Sequence, residues 1–355
     1  MTPAASPIDW ERAEQVAVRF ATRRPAPSYA MDGPAHAAAA EVEDQIEQVT
    51  GLRSANGTPV VQVIDRETWI RANIASFRTL LAPVMDRWQH KIGASSATAA
   101  FTRNVTGAEV GALLGWMSTR VLGQYDLLIG RDMGDETGDD AVYLVGTNLA
   151  MLEQRYAFDP YEFRTWVLLH ELTHRAQFTG VPWMRGYFTG LVQQSLSFAD
   201  PDPKAFREAL RAALRDRRDA GRHVRDGGVM GLLASPDQRA VMARIGGLMS
   251  LLEGHGDVTM TRAAGELVPN ADRFERVLRE RRRTANPLSR AVMRLAGIEA
   301  KLNQYAAGER FITAIEAAIG ERAVDRCWLA AEQLPTLEEI RAPRSWLARM
   351  ETAVA

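Results

Sequence analysis

The stretch that most constrains this chain is Asp159 to Phe178, DPYEFRTWVLLHELTHRAQF, in which His170, Glu171 and His174 stand in the order H-E-x-x-H. Four residues of an α-helix turn through about 400°, so the two imidazoles leave the helix from nearly one line, a turn apart. That spacing lets two ring nitrogens reach one tetrahedral metal ion, provided the segment is helical. Its flanks predict a helix. Asp159 suits the N-cap, Pro160 the first helical position and Glu162 a capping box, while Gly180 and Pro182 supply a stop. Trp166 to Leu169 is apolar nearly all round, as in a helix buried on most sides. Glu171 lies one step round from His170, badly placed to ligate the same ion but able to touch a water on it, which is where a general base belongs. The bland alternative is a pair of packed core histidines. The caps, the apolar interior and a total of only 6 histidines in the chain weigh against it.

A zinc ion needs a third protein ligand. Cys327 is the sole cysteine, so no intrachain disulfide can form and the ligands must be nitrogen and oxygen. Gln177 and Gly180 stand where a metzincin would need glycine and a third histidine, which excludes that arrangement. A second helix is predicted from Ser235-Pro236-Asp237-Gln238 through Met249-Ser250-Leu251-Leu252-Glu253-Gly254-His255-Gly256-Asp257 toward Gly265. Glu253 and Asp257 share a face of it, and His255 points about 200° from Glu253. Glu253 is read as the third ligand, with Asp257 accepting the outer N–H of a ligating histidine. His255 as third ligand is the competing version. Leu251 and Leu252 suggest that Glu253 is buried, and a buried carboxylate needs a cation. Gly246, Gly247, Gly254 and Gly256 each weaken a helix by about 1 kcal/mol relative to alanine. They are expected where the backbone must approach another element closely.

The rest of the chain reads as mainly α with a small β-sheet. Helices are predicted over Ile8 to Ala21, Ala37 to Val49, the periodic segment Ile70-Ile74-Phe77-Leu81-Val84, and from a capping box Thr106/Glu109 through a stripe of Val110, Leu113, Leu114, Met117 and Val121. Val60 to Ile64, Tyr125 to Ile129 and Val142 to Gly146 read as strands, and the acidic loop Arg131 to Asp140 as a solvated turn without EF-hand spacing. A strand edge just before the histidine helix could hold an extended peptide. Trp183 and Tyr187 could line a cleft. Asp202 to Arg225 and Arg273 to Arg283 read as charged, solvated helices. One domain is expected over 1–355, with an N-terminal helical part to about 105, a metal-site core from about 106 to 265 and a C-terminal helical part from about 266.

The net charge of −1 offers no general attraction to nucleic acid or an anionic membrane. The near absence of lysine beside abundant arginine reads as codon bias. Asp9, Glu11, Arg12 and Glu14 interrupt any early apolar run, so no secretory signal is expected; with no stretch that could span a membrane, the expected location is the cytoplasm.

With those residues in view, His170-Glu171-Leu172-Thr173-His174-Arg175-Ala176-Gln177-Phe178, Val181-Pro182-Trp183 and Leu251 to Asp257 resemble the actinobacterial zincin-like family of zinc-dependent metallopeptidases. The branch most resembled is labelled coenzyme F420 biosynthesis-associated. Val121-Leu122-Gly123-Gln124-Tyr125-Asp126 and Lys301-Leu302-Asn303-Gln304-Tyr305, with Gly308 and Phe311, extend the likeness from about Ile8 to Trp346. The resemblance implies a mainly helical zincin-like fold, with the H-E-x-x-H helix facing a second ligand helix, and a Zn2+ site. F420 itself is not expected as a cofactor, since no G-x-G-x-x-G lies between a strand and a helix. The expected chemistry is hydrolysis of a peptide or protein substrate with Glu171 as base and His255 or Tyr305 as oxyanion donor. The alternatives are a zinc hydrolase of a small amide or ester, and a protein that uses zinc only as a clamp.

Overall fold

The computed structural model describes residues 6–23, 27, 34–92, 97–127, 140–198, 235–265, 267–283 and 298–354. It is mainly helical with one three-stranded sheet and divides into two compact units. The first takes in Met1–Ile46, Ser54–Arg175 and Ala264–Ala271. Along the chain it holds α1 (Trp10–Ala21), most of α2 (Pro34–Thr50), β1 (Val60–Ile64), α3 (Arg66–Ile92), α4 (Ala97–Ser118), β2 (Gly123–Tyr125), β3 (Ala141–Val145), α5 (Gly146–Tyr156) and most of α6 (Pro160–Gly180).

Strand order is β1-β3-β2, with β1 parallel and β2 antiparallel to β3. The central strand, Ala-Val-Tyr-Leu-Val, is buried along its whole length, which is why it reads as an unbroken apolar run rather than an alternation. Trp69, Ile70 and Ile74 of α3 pack with Ile64, Ala141, Tyr143 and Val145, and Ala17 and Ala21 of α1 join the same cluster. Small residues let α1 and α4 touch. Ala13, Ala17 and Ala21 are buried on α1, and a Cβ at Gly111 of α4 would come 2.3 Å from the Ala13 carbonyl oxygen.

Three features differ from the sequence expectation. α4 begins at Ala97, so Thr106 lies inside the helix and the capping box predicted there does not start it. The alanine-rich run before Thr106 is itself a good helix former, and the helix extends through it. Leu113, placed on the buried stripe, is 38% exposed, because the glycine face turns toward α1 instead. The strand placed at Tyr125 to Ile129 starts at Gly123 and closes at Tyr125, and most of the acidic loop lies outside the described residues. α5 was not anticipated. It leaves β3 with no intervening loop and ends at Ala157 in the left-handed conformation, φ 49°.

The second unit comprises Glu47–Arg53, Ala176–Ala263 and Asp272–Ala355. It holds α7 (Met184–Ser197), α8 (Pro236–Ala264), α9 (Ala271–Arg283), α10 (Ile298–Ile319), 3-10 turns at Ala323–Trp328 and Ala331–Gln333, α11 (Leu337–Arg341) and α12 (Pro343–Val354). The charged helix predicted over Asp202 to Arg225 lies outside the described residues. α8 opens as predicted, with the Gln238 amide donating to Ser235 at 3.1 Å. The expected close approach of its glycines occurs at Gly254 and Gly247. A Cβ on Gly254 would fall 2.3 Å from the Gly308 carbonyl carbon of α10, and one on Gly247 would fall 2.7 Å from the Pro335 oxygen.

Candidate metal centre

α6 is pinned along its length, and that is what fixes its histidines. Asp159 caps it by accepting the Glu162 amide at 2.9 Å. The Glu162 carboxylate accepts the Asn270 amide at 3.0 Å and the Asn270 side chain at 3.1 and 3.0 Å, instead of closing the predicted box. Buried Arg164 grips Glu153 of α5 through two bonds, 2.8 and 3.0 Å. Leu168, Leu169 and Leu172 are fully buried, as the all-round apolar interior requires.

On this helix the His170 and His174 rings meet edge to face, their centroids 4.6 Å apart, with the two Nε2 atoms 3.2 Å from each other. Two nitrogens at zinc-ligand distance on a tetrahedral ion lie about 3.3–3.4 Å apart. The pair's spacing is therefore close to that of two nitrogen ligands on one zinc ion. Glu171, 8% exposed, turns its carboxylate to β2, where Oε2 accepts the Tyr125 amide at 2.9 Å.

In the second unit Glu253 is buried on α8 beside fully buried Leu251 and Leu252, as the sequence suggested. Asp257 follows a turn later and is half-buried. His255 is buried and lies edge-on to Trp328, ring centroids 5.1 Å apart. Its Nδ1 is 2.9 Å from the Gln177 side-chain nitrogen, which also donates to the Leu252 carbonyl at 3.0 Å. An amide nitrogen can only donate, so Nδ1 of His255 accepts and the neutral ring carries its proton on Nε2. A ligating histidine shows the reverse, donating through the nitrogen that faces away from the metal.

Tyr305 lies on α10, outside the residues whose side chains are described. Trp183 donates to the Trp328 carbonyl at 3.0 Å and stacks edge-on with Tyr187 at 5.9 Å, while burial pushes the Tyr187 phenol above its ordinary pKa. Asp140, read with the acidic loop as solvated, is instead buried and paired with Arg175, and sequence reasoning attached no role to Gly123 or Arg175 and used Gln177 only to exclude a metzincin. Gly123 and Tyr125 stood inside one of the matching motifs, and that was the available signal.

A family model described as zincin-like metallopeptidase matches residues 8–347. Among solved structures the chain is similar to a "putative hydrolase with a novel fold" from Chloroflexus aurantiacus, at 32% identity over 97% of this chain and 99% of that one, with a TM-score of 0.71. No curated protein matches. Among the described residues no helix is long and apolar enough to cross a membrane.

Proposed function

Because the chain belongs to the zincin-like metallopeptidase family, we propose that it is a zinc-dependent peptidase in which His170, His174 and Glu253 hold the ion and Glu171 is the general base. The observation that carries the reading is the His170–His174 pair, whose Nε2 atoms are already spaced as two corners of a zinc tetrahedron. Glu253 is preferred to His255 as third ligand because His255 accepts a hydrogen bond at Nδ1, leaving its proton on the nitrogen a metal would need. Asp257, on the face it shares with Glu253, accepts the outer N–H of a ligating histidine in this account.

When bound, zinc supplies a Lewis acid and a water acidified to a pKa of about 7. Glu171 takes the proton from the attacking water and passes it to the departing amine of the peptide. His255 offers its Nε2–H as a donor to the carbonyl oxygen as charge develops there, and Tyr305 is the second candidate for that role. The substrate is a peptide or protein.

Glu171→Gln tests the assignment: it should keep one zinc per chain and the thermal stability of the wild type while turnover of a peptide library falls by about 10²–10⁴-fold. Unchanged cleavage would remove Glu171 from the mechanism. Cleavage of small esters or amides with rejection of every peptide would replace the substrate class, and stoichiometric zinc with no turnover of either would leave a structural clamp.

A further inference from the structure

We propose that β2 positions the general base: Tyr125 through its amide and Gly123 through its lack of a side chain set the Glu171 carboxylate, and the buried Arg175–Asp140 pair holds β2 where this works. The inference rests on the reading of Glu171 as base, and it concerns only groups within the first unit.

The register decides which way the backbone of β2 faces. Leu122 accepts from the Val145 amide at 2.8 Å and the Asp126 amide donates to Ala141 at 2.9 Å. Residues in between alternate, so the main-chain groups of Gly123 and Tyr125 point away from β3, off the edge of the sheet. The Tyr125 amide is the outward donor that Glu171 accepts. One hydrogen bond fixes one oxygen and leaves the carboxylate free to turn about it. Volume supplies the second restraint. A Cβ at Gly123 would lie 2.7 Å from Glu171 Cγ, 2.8 Å from Oε1 and 2.9 Å from Val167 Cγ1, so every other residue type would displace the carboxylate or the strand.

A short strand that is paired on one side only among the described residues needs an anchor to act as a template. Gly123 and Tyr125 share a face of the strand. From that face the Tyr125 hydroxyl donates to Asp140 at 3.1 Å, and Asp140 pairs with Arg175. Arg175 is completely buried, also pairs with Glu43 and donates to the Gly57 carbonyl at 2.9 Å. It stands one turn beyond Glu171 on α6, on the same side of the helix. Tyr125 is thereby tied to α6 twice, by its amide to Glu171 and by its hydroxyl through Asp140 to Arg175. That closed circuit fixes strand and carboxylate together, and neither can shift without breaking a buried bond.

Amide hydrogen exchange, read residue by residue by NMR on the metal-free full chain, tests this without any turnover. In wild type the Tyr125 amide is protected. In Glu171→Ala it should exchange about tenfold faster or more, the effect of losing a hydrogen bond to a charged group. Gln124 and Asp126, which face β3, should keep their rates. Tyr125→Phe, which removes only the hydroxyl, should raise exchange at the same backbone position. On the zinc-loaded protein, Gly123→Ala should lower kcat with KM and zinc content unchanged, and a Gly123→Ser variant should do no better. Equal Tyr125 protection in wild type and Glu171→Ala, or a Gly123→Ala protein with wild-type kcat, overturns the proposal. Should Gly123→Ala fail to fold, the Glu171→Ala exchange rates decide alone. A wild type without turnover whose Tyr125 amide still depends on Glu171 would overturn the peptidase reading and leave the positioning of the carboxylate standing.

Discussion

Arg175 carries a charge with no exposure at all, and its partners Glu43 and Asp140 are buried with it. Replacing it by methionine fills much the same volume but takes the cation away from two buried carboxylates. Arg175→Met should therefore lower the free energy of unfolding by about 3–5 kcal/mol, read from urea titration. A loss under about 1 kcal/mol would show that the cluster contributes little to stability. At this scale the sequence was legible wherever spacing alone sets geometry. His170 and His174 meet because any α-helix brings residues four apart together. Gly123 and Arg175 were opaque because their roles depend on neighbours far along the chain, Glu171 for one and Glu43 for the other. Nothing local to either residue encodes that.

Between elements, glycine separates positions where a methyl group collides from positions where it meets nothing. Gly111 of α4 lies on the backbone of α1, and a Cβ there would meet the Ala13 carbonyl oxygen, carbonyl carbon and Cα. Gly190 in α7 has open space around it. Gly111→Ala should cost about 1–3 kcal/mol through forced separation of the helices. Gly190→Ala should add about 0.5–1 kcal/mol by restricting the unfolded chain and favouring helix. Thermal unfolding of the two variants side by side checks both, and like signs would contradict the packing account. The same contrast explains how the elements were read. Periodicity and caps located α1, α3, α6 and α8, whereas the start of α4 was misplaced because an alanine-rich run offers no boundary, and α5 went unseen because it follows β3 without a turn signal.

Across the whole molecule, the helical class, the small sheet and the histidine helix followed from pattern alone. Glu253 is preferred to His255 in the sequence for the acid at Asp257 and the leucines beside it, and the hydrogen bond from Gln177 to the His255 ring is a separate reason for the same proposal. That choice carries the account of zinc, and zinc carries the account of hydrolysis. The most direct measurement is metal analysis with X-ray absorption at the zinc edge on wild type, Glu253→Gln and His255→Gln. The account predicts one zinc per wild-type chain bound by two imidazoles and a carboxylate, loss of that ion in Glu253→Gln, and its retention with the same ligands in His255→Gln. A wild type that takes up no zinc, or a zinc site that survives loss of Glu253 and disappears with His255, would contradict it.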